Sequence, residues 1–187
     1  KVRGVKEMVR AIELIPQDEV RLIITGLFSL EDLQAEVEGL AGWPKVDFLG
    51  WSSRYQLAEL LDKVRAGLVI LHPTQRYPHS YPIKMFEYMA VGLPVIASDF
   101  PLWRKILAGD RCGLLVNPRD PRAIADAMQW ILDNPREAEA MGKRGREAVE
   151  EKYNWERESD KLIGLYERLM DGDQSRHRER RRLRCRD

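Results

Sequence analysis

In the stretch HSYPIKMFEYMAVGLPVIASDFP, from His79 to Pro101, one carboxylate stands among apolar residues. Glu87 is surrounded by Met85, Phe86, Tyr88, Met89, Ala90 and Val91, so a helix here gives it apolar neighbours on every side. A buried carboxylate must be paired, and Lys84, three residues earlier, is the nearest candidate along a helix. An ionised carboxylate is also a two-oxygen acceptor, matched to the two donor hydroxyls of a ribose diol. Helical side chains lean toward the N-terminus, so Glu87 can reach back to whatever that end of the helix binds. A core ion pair with Lys84 and no ligand is the other reading, and the residues alone leave both open.

The elements around this stretch place it. VRLIITG (Val20–Gly26), VDFLGW (Val46–Trp51), AGLVILHP (Ala66–Pro73), LPVIAS (Leu93–Ser98) and CGLLVNP (Cys112–Pro118) read as buried strands. Their continuous Val, Ile and Leu runs are those of a parallel sheet covered on both faces. SLEDLQAEVEGL, capped by Ser29, and SRYQLAELLDKV are the helices between the first three. The spacing predicts an α/β doubly wound, Rossmann-like parallel sheet. In such sheets ligands bind beyond the carboxyl ends of the strands. The loop His72–Ser80 is such a place: it delivers the chain to a helix expected to start near Ser80, with Pro82 tolerated in its first turn. Free amides there favour an anion such as phosphate. Gly92 and then Pro94 end this helix, and Asp99 is expected to cap the next one, which Pro101 begins.

The last third reads as helical. Asp120–Pro121 and Asn134–Pro135 each place a cap before a helix-starting proline. Trp155, Leu162, Ile163, Tyr166, Leu169 and Met170 mark one face of a final helix. Domain boundaries are expected at 1–171 for the sheet domain and 172–187 for a basic, disordered tail poor in apolar residues. The chain opens on KVRGVKEMVRAIEL, at or near a helix, so the first strand of the sheet is expected to lie outside this sequence, within a longer protein.

The formal net charge of +1 hides an asymmetry. From Gln174 onward seven arginines face only Glu179 and Asp187, leaving the body acidic. Nucleic-acid binding by the body is therefore not expected, and the arginine-rich tail is the part suited to peripheral contact with an anionic membrane face. Cys112 and Cys185 make neither a disulfide framework nor a metal spacing, which fits a cytoplasmic setting. No apolar run is long enough to span a bilayer.

KMFEYMAVGLPVIASD, then CGLLVNPRDPRAIADAM and YNWER, resemble the C-terminal half of retaining glycosyltransferases of the GT-B fold, family 4. The resemblance runs from Arg3 to about Met170, and Lys84–Asp99 is its most specific part. It implies two Rossmann-like domains facing across a cleft, this one binding a nucleoside diphosphate sugar and an absent N-terminal one binding the acceptor. Glu87 matches the second glutamate of the family's pair, which holds the ribose hydroxyls. His79 stands where the first glutamate would contact the donor sugar, a departure that puts sugar identity in question. The same resemblance assigns the backbone amides of Ser80, Tyr81 and Ile83 to the pyrophosphate. It gives Arg3, beside Gly4, a diphosphate contact, and Gly50, Trp51 and Ser52 the nucleobase. Packing or solvated roles remain open for His79, Arg3 and Trp51.

The reaction implied is transfer of a sugar to an acceptor hydroxyl with retention, needing no metal and no cofactor besides the donor. The isolated chain is expected to bind donor and to transfer poorly. An epimerase or phosphorylase of the same fold, or a non-catalytic nucleotide-binding or interaction module, are the rivals. No G-x-G-x-x-G follows any strand, which argues against a dehydrogenase.

Overall fold

A computed structural model describes residues 3–28 and 31–184. Five strands form, each where an apolar run predicts one: β1 (Leu22–Thr25), β2 (Val46–Gly50), β3 (Gly67–Val69), β4 (Val95–Ser98) and β5 (Gly113–Val116). All pairings are parallel, but they fall into two sheets, β1–β2 and β3–β4–β5. These are the pairings 3-2 and 4-5-6 of the doubly wound order 3-2-1-4-5-6, and no strand among the described residues occupies the position between them. β4 lies inside its sheet and is buried throughout.

The helices are α1 (Val5–Glu13), α2 (Glu31–Glu38), α3 (Arg54–Leu61), α4 (Ile83–Ala90), α5 (Pro101–Leu107), α6 (Pro121–Asp133), α7 (Pro135–Glu151) and α8 (Trp155–Arg184). Ser53 caps α3 in a full capping box with Gln56. The Asp120 carboxylate accepts from the Arg122 amide at the start of α6, as its sequence predicts. Ser29 lies outside the described residues. α1 buries Met8, Val9, Ala11 and Ile12 and packs on α6, which buries Ile124, Ala125, Ala127, Met128 and Ile131.

Three expectations change. β3 is shorter than its apolar run, because beyond Val69 a side chain replaces the backbone ladder. The Leu71 amide donates to Ser98 Oγ, and the Ser98 hydroxyl donates to the Leu71 carbonyl, both at 2.8 Å. α4 starts at Ile83 rather than Ser80: Pro82 is its N-cap, and a 3-10 turn, Tyr77–His79, occupies the loop. Phe100, not Asp99, is the N-cap of α5; Asp99 instead receives both arms of Arg104, the Nε bond at 2.9 Å.

The chain divides into two compact units, residues 1–149 and 150–187. On α8, Trp155 is 72% exposed, and Leu162, Ile163, Tyr166, Leu169 and Met170 are exposed as well. The backbone of α8 is helical from Trp155 to Arg184. Arginine, glutamate and glutamine all rank high in helix propensity, which low apolar content does not abolish.

Candidate functional site

α4 packs by one side only. Met85 and Met89 are fully buried, and the Tyr88 ring lies over Gly67 of β3, where a Cβ would meet it at 2.1 Å. Burial, and then the Glu87 carboxylate, push the Tyr88 phenol up from its ordinary value, so it stays neutral. The opposite stripe, Ile83, Glu87 and Ala90, is exposed. Glu87 is therefore not a buried charge. A short helix with apolar residues all round still shows one stripe to the outside, and the carboxylate is on it.

Lys84 and Glu87 do not pair. Neither has a hydrogen-bond or ion-pair partner among the described residues. Burial, and secondarily the Arg3 guanidinium, lower Lys84 from 10.5 to about 8. Lys84 is the second residue of α4, so its side chain leans past the helix N-terminus, toward another cation rather than toward Glu87. Two unpaired cations beside a helix N-terminus make the local field favourable to an anion.

Arg3 is delivered there by a close approach of backbones. Gly4, the N-cap of α1, has φ +58, and a Cβ on it would sit 2.5 Å from Ile70 Cγ2 and 2.8 Å from the Ile70 carbonyl. Gly4→Ala is expected to cost about 1–2 kcal/mol of unfolding free energy. An unchanged denaturation midpoint would place the α1 N-terminus away from the chain beyond β3. One turn along α1, Glu7 Oε1 lies 3.2 Å from Nε2 of His72, without the alignment of a hydrogen bond.

The loop between β3 and α4 is held mostly by itself. The His79 amide donates to the Arg76 carbonyl at 3.1 Å, and the Ser80 amide to the Tyr77 carbonyl at 3.2 Å. Ser80 is thus not free to offer its amide to a ligand, contrary to expectation, because the 3-10 turn already uses it. Among the described residues the amides of Tyr81 and Ile83 make no hydrogen bond. His79 is exposed. From α5, the Trp103 Nε1–H donates to the Ser80 carbonyl at 2.8 Å.

Gly50, Trp51 and Ser52 follow the carboxyl end of β2. Gly50 turns the chain at φ +66, and its carbonyl accepts from Gly26 at 2.7 Å. Trp51 is 71% exposed, so its ring is not a core side chain. No hydrogen bond or ion pair links these three residues to Arg3, Lys84 or Glu87 among the described residues. The sequence reading missed the Arg3–Lys84 proximity and the Glu7–His72 and Trp103–Ser80 contacts. All three join residues far apart in sequence, and no local pattern signals them. Among the described residues no group of three or more His, Cys, Asp or Glu is placed to hold a metal, and no helix is long and apolar enough to cross a membrane.

A family profile described as "Glycosyl transferases group 1" matches residues 1–148. The phosphatidyl-myo-inositol mannosyltransferase of Mycobacterium leprae is 32% identical over 150 residues, 80% of this chain and 38% of that protein. Among solved structures, sucrose-phosphate synthase from Thermosynechococcus elongatus superposes with a TM-score of 0.75 at 28% identity, covering 91% of this chain and 43% of that one. Anabaena HepE in complex with UDP-glucose superposes at 0.69 with 16% identity, covering 92% and 45%, a likeness of fold. The chain thus spans less than half the length of these relatives.

Proposed function

The chain belongs to the glycosyl transferases group 1 family, and on that premise we propose that it is the donor-binding half of a retaining glycosyltransferase, taking a nucleoside diphosphate sugar. The observation that carries this is the pair of unpaired cations, Arg3 and Lys84, beside the N-terminus of α4. The diphosphate lies against them and the free amides of Tyr81 and Ile83. Glu87, exposed one turn along, accepts from the ribose diol; Trp51 and Ser52, after the turn at Gly50, receive the base; His79 faces the sugar. HepE, of the same fold, holds UDP-glucose, which supports a nucleotide sugar as the ligand class.

Charge grows on the diphosphate as the bond to the anomeric carbon breaks. Lys84, Arg3 and the helix terminus are in place before that charge appears, so they stabilise the transition state with little reorganisation. The same groups suffice to neutralise the leaving group without a divalent ion. Acceptor binding belongs to the other half of the whole protein.

Calorimetric titration of the 187-residue chain with UDP, GDP and ADP tests this reading. At least one is expected to bind in the micromolar range, about 6–8 kcal/mol, with no sugar transfer by the chain alone. Absence of binding by all three to a folded chain would leave a non-catalytic interaction module. Turnover at a rate like the whole enzyme's would overturn the division of labour between the halves.

A further inference from the structure

We propose that Trp103 is a positioning residue that pins the donor loop from behind, an inference that rests on the donor reading above. The segment from His72 to Pro82 is long, carries Pro73, Pro78 and Pro82, and makes most of its hydrogen bonds within itself. Thr74 Oγ1 accepts from the amides of Arg76 and Tyr77, and the Ser80 hydroxyl donates to the Tyr77 carbonyl. Those bonds shape the loop but do not fix it to the domain. Among the described residues, apart from the first turn of α4, whose Met85 amide donates to the Pro82 carbonyl at 3.0 Å, one hydrogen bond from another element reaches it, from the Trp103 indole to the Ser80 carbonyl at 2.8 Å.

The donor is rigidly held. Trp103 is completely buried, the largest such side chain among the described residues, and its ring meets Phe100 edge-on at 4.7 Å between centroids. Phe100 is itself the N-cap of α5, and α5 packs on the 3-10 turn Tyr77–His79. A buried indole N–H needs an acceptor, and here it takes a carbonyl of the loop rather than one in the core. Ser80 sits one residue past His79 and four before Lys84. The pin therefore falls between the group assigned to the sugar and the cation assigned to the diphosphate. Fixing that carbonyl sets the direction in which Tyr81, Pro82 and Ile83 enter α4, and so the aim of its first free amides. Preorganised donors of this kind bind without ordering the loop at the moment of binding.

Trp103→Phe keeps an aromatic ring against Phe100 and removes the N–H. Hydrogen exchange of the ligand-free chain is expected to quicken at the amides of His79 and Ser80 while β4 and β5 keep their protection. Affinity for whichever of UDP, GDP and ADP binds the wild type is expected to fall about five- to ten-fold. Ile106→Val, buried in the same helix, serves as the control: it lowers thermal stability and leaves affinity unchanged. Equal affinity in wild type and Trp103→Phe, or an equal loss in Ile106→Val, overturns the proposal. In the wild type, the Trp103 indole proton is expected to exchange slowly and to shift when nucleotide is added; fast exchange overturns it even if Trp103→Phe does not fold. Should no nucleotide bind, the donor reading fails. The loop pin is then judged by exchange alone, and unchanged protection at His79 and Ser80 sinks it too.

Discussion

Lys84→Met is expected to stabilise the folded chain and to weaken nucleoside diphosphate binding by roughly a hundred-fold, the worth of one to two strong charge-assisted contacts. The two effects come from one cause. Lys84 is held at about 8 by burial and by Arg3, so the folded state resists its positive charge. Its unfolded value is the ordinary 10.5, so between about pH 8 and 10.5 the unfolded chain holds the proton more often than the folded one. Stability then rises with pH across that window, and the penalty is fully present below it. Removing the charge while keeping an apolar stem relieves a cost of at most about 3 kcal/mol at pH 7. Thermal melts at pH 7 and pH 10 are expected to show the variant gaining most at the lower pH.

Binding moves the other way. A diphosphate favours the protonated amine, so wild-type affinity is expected to fall as pH rises through about 8, because the proton must then be taken up on binding. The Lys84→Met profile should be flat there. A variant that is both less stable and normal in affinity would mean that Lys84 serves packing. A structure that tolerates an unpaired, half-buried cation is paying stability for a site.

The contrast between Lys84 and Glu87 shows how far the sequence could be read. The strands and the helix N-terminus beside Lys84 follow from apolar runs, prolines and glycines, all of them local patterns. What the local pattern could not show is which way α4 turns its faces. An i, i+3 acid–base pair on a helix is an ordinary expectation, but it fails when the basic member lies in the first turn and leans beyond the helix end. The same holds for Asp99, a plausible cap by position, which Arg104 claims with a fork. The tertiary contacts of the site, Gly4 on Ile70 and Trp103 on Ser80, join segments more than twenty residues apart. Only the folded backbone brings them together.

Glu87→Ala is the sharper test of the ligand itself. Because Glu87 is exposed and unpaired among the described residues, its loss should change unfolding free energy by no more than about 0.5 kcal/mol. Affinity for UDP or GDP is expected to fall roughly thirty-fold, since one ionised acceptor serving a diol contributes about 2 kcal/mol. Two comparisons separate ribose recognition from a general field effect. Inorganic pyrophosphate, which lacks the ribose, should bind wild type and variant alike, or slightly better to the variant, from which a negative charge has been removed. A 2′,3′-dideoxynucleoside diphosphate should bind both proteins with the weak affinity that the natural nucleotide shows for the variant. If the dideoxy ligand still loses thirty-fold on mutation, the carboxylate acts on something other than the diol. If the variant unfolds several degrees earlier, Glu87 is structural after all. The expected pattern, with stability intact and affinity lost only for ligands carrying the diol, leaves one role: the carboxylate on the exposed stripe of α4 is kept there for the ribose.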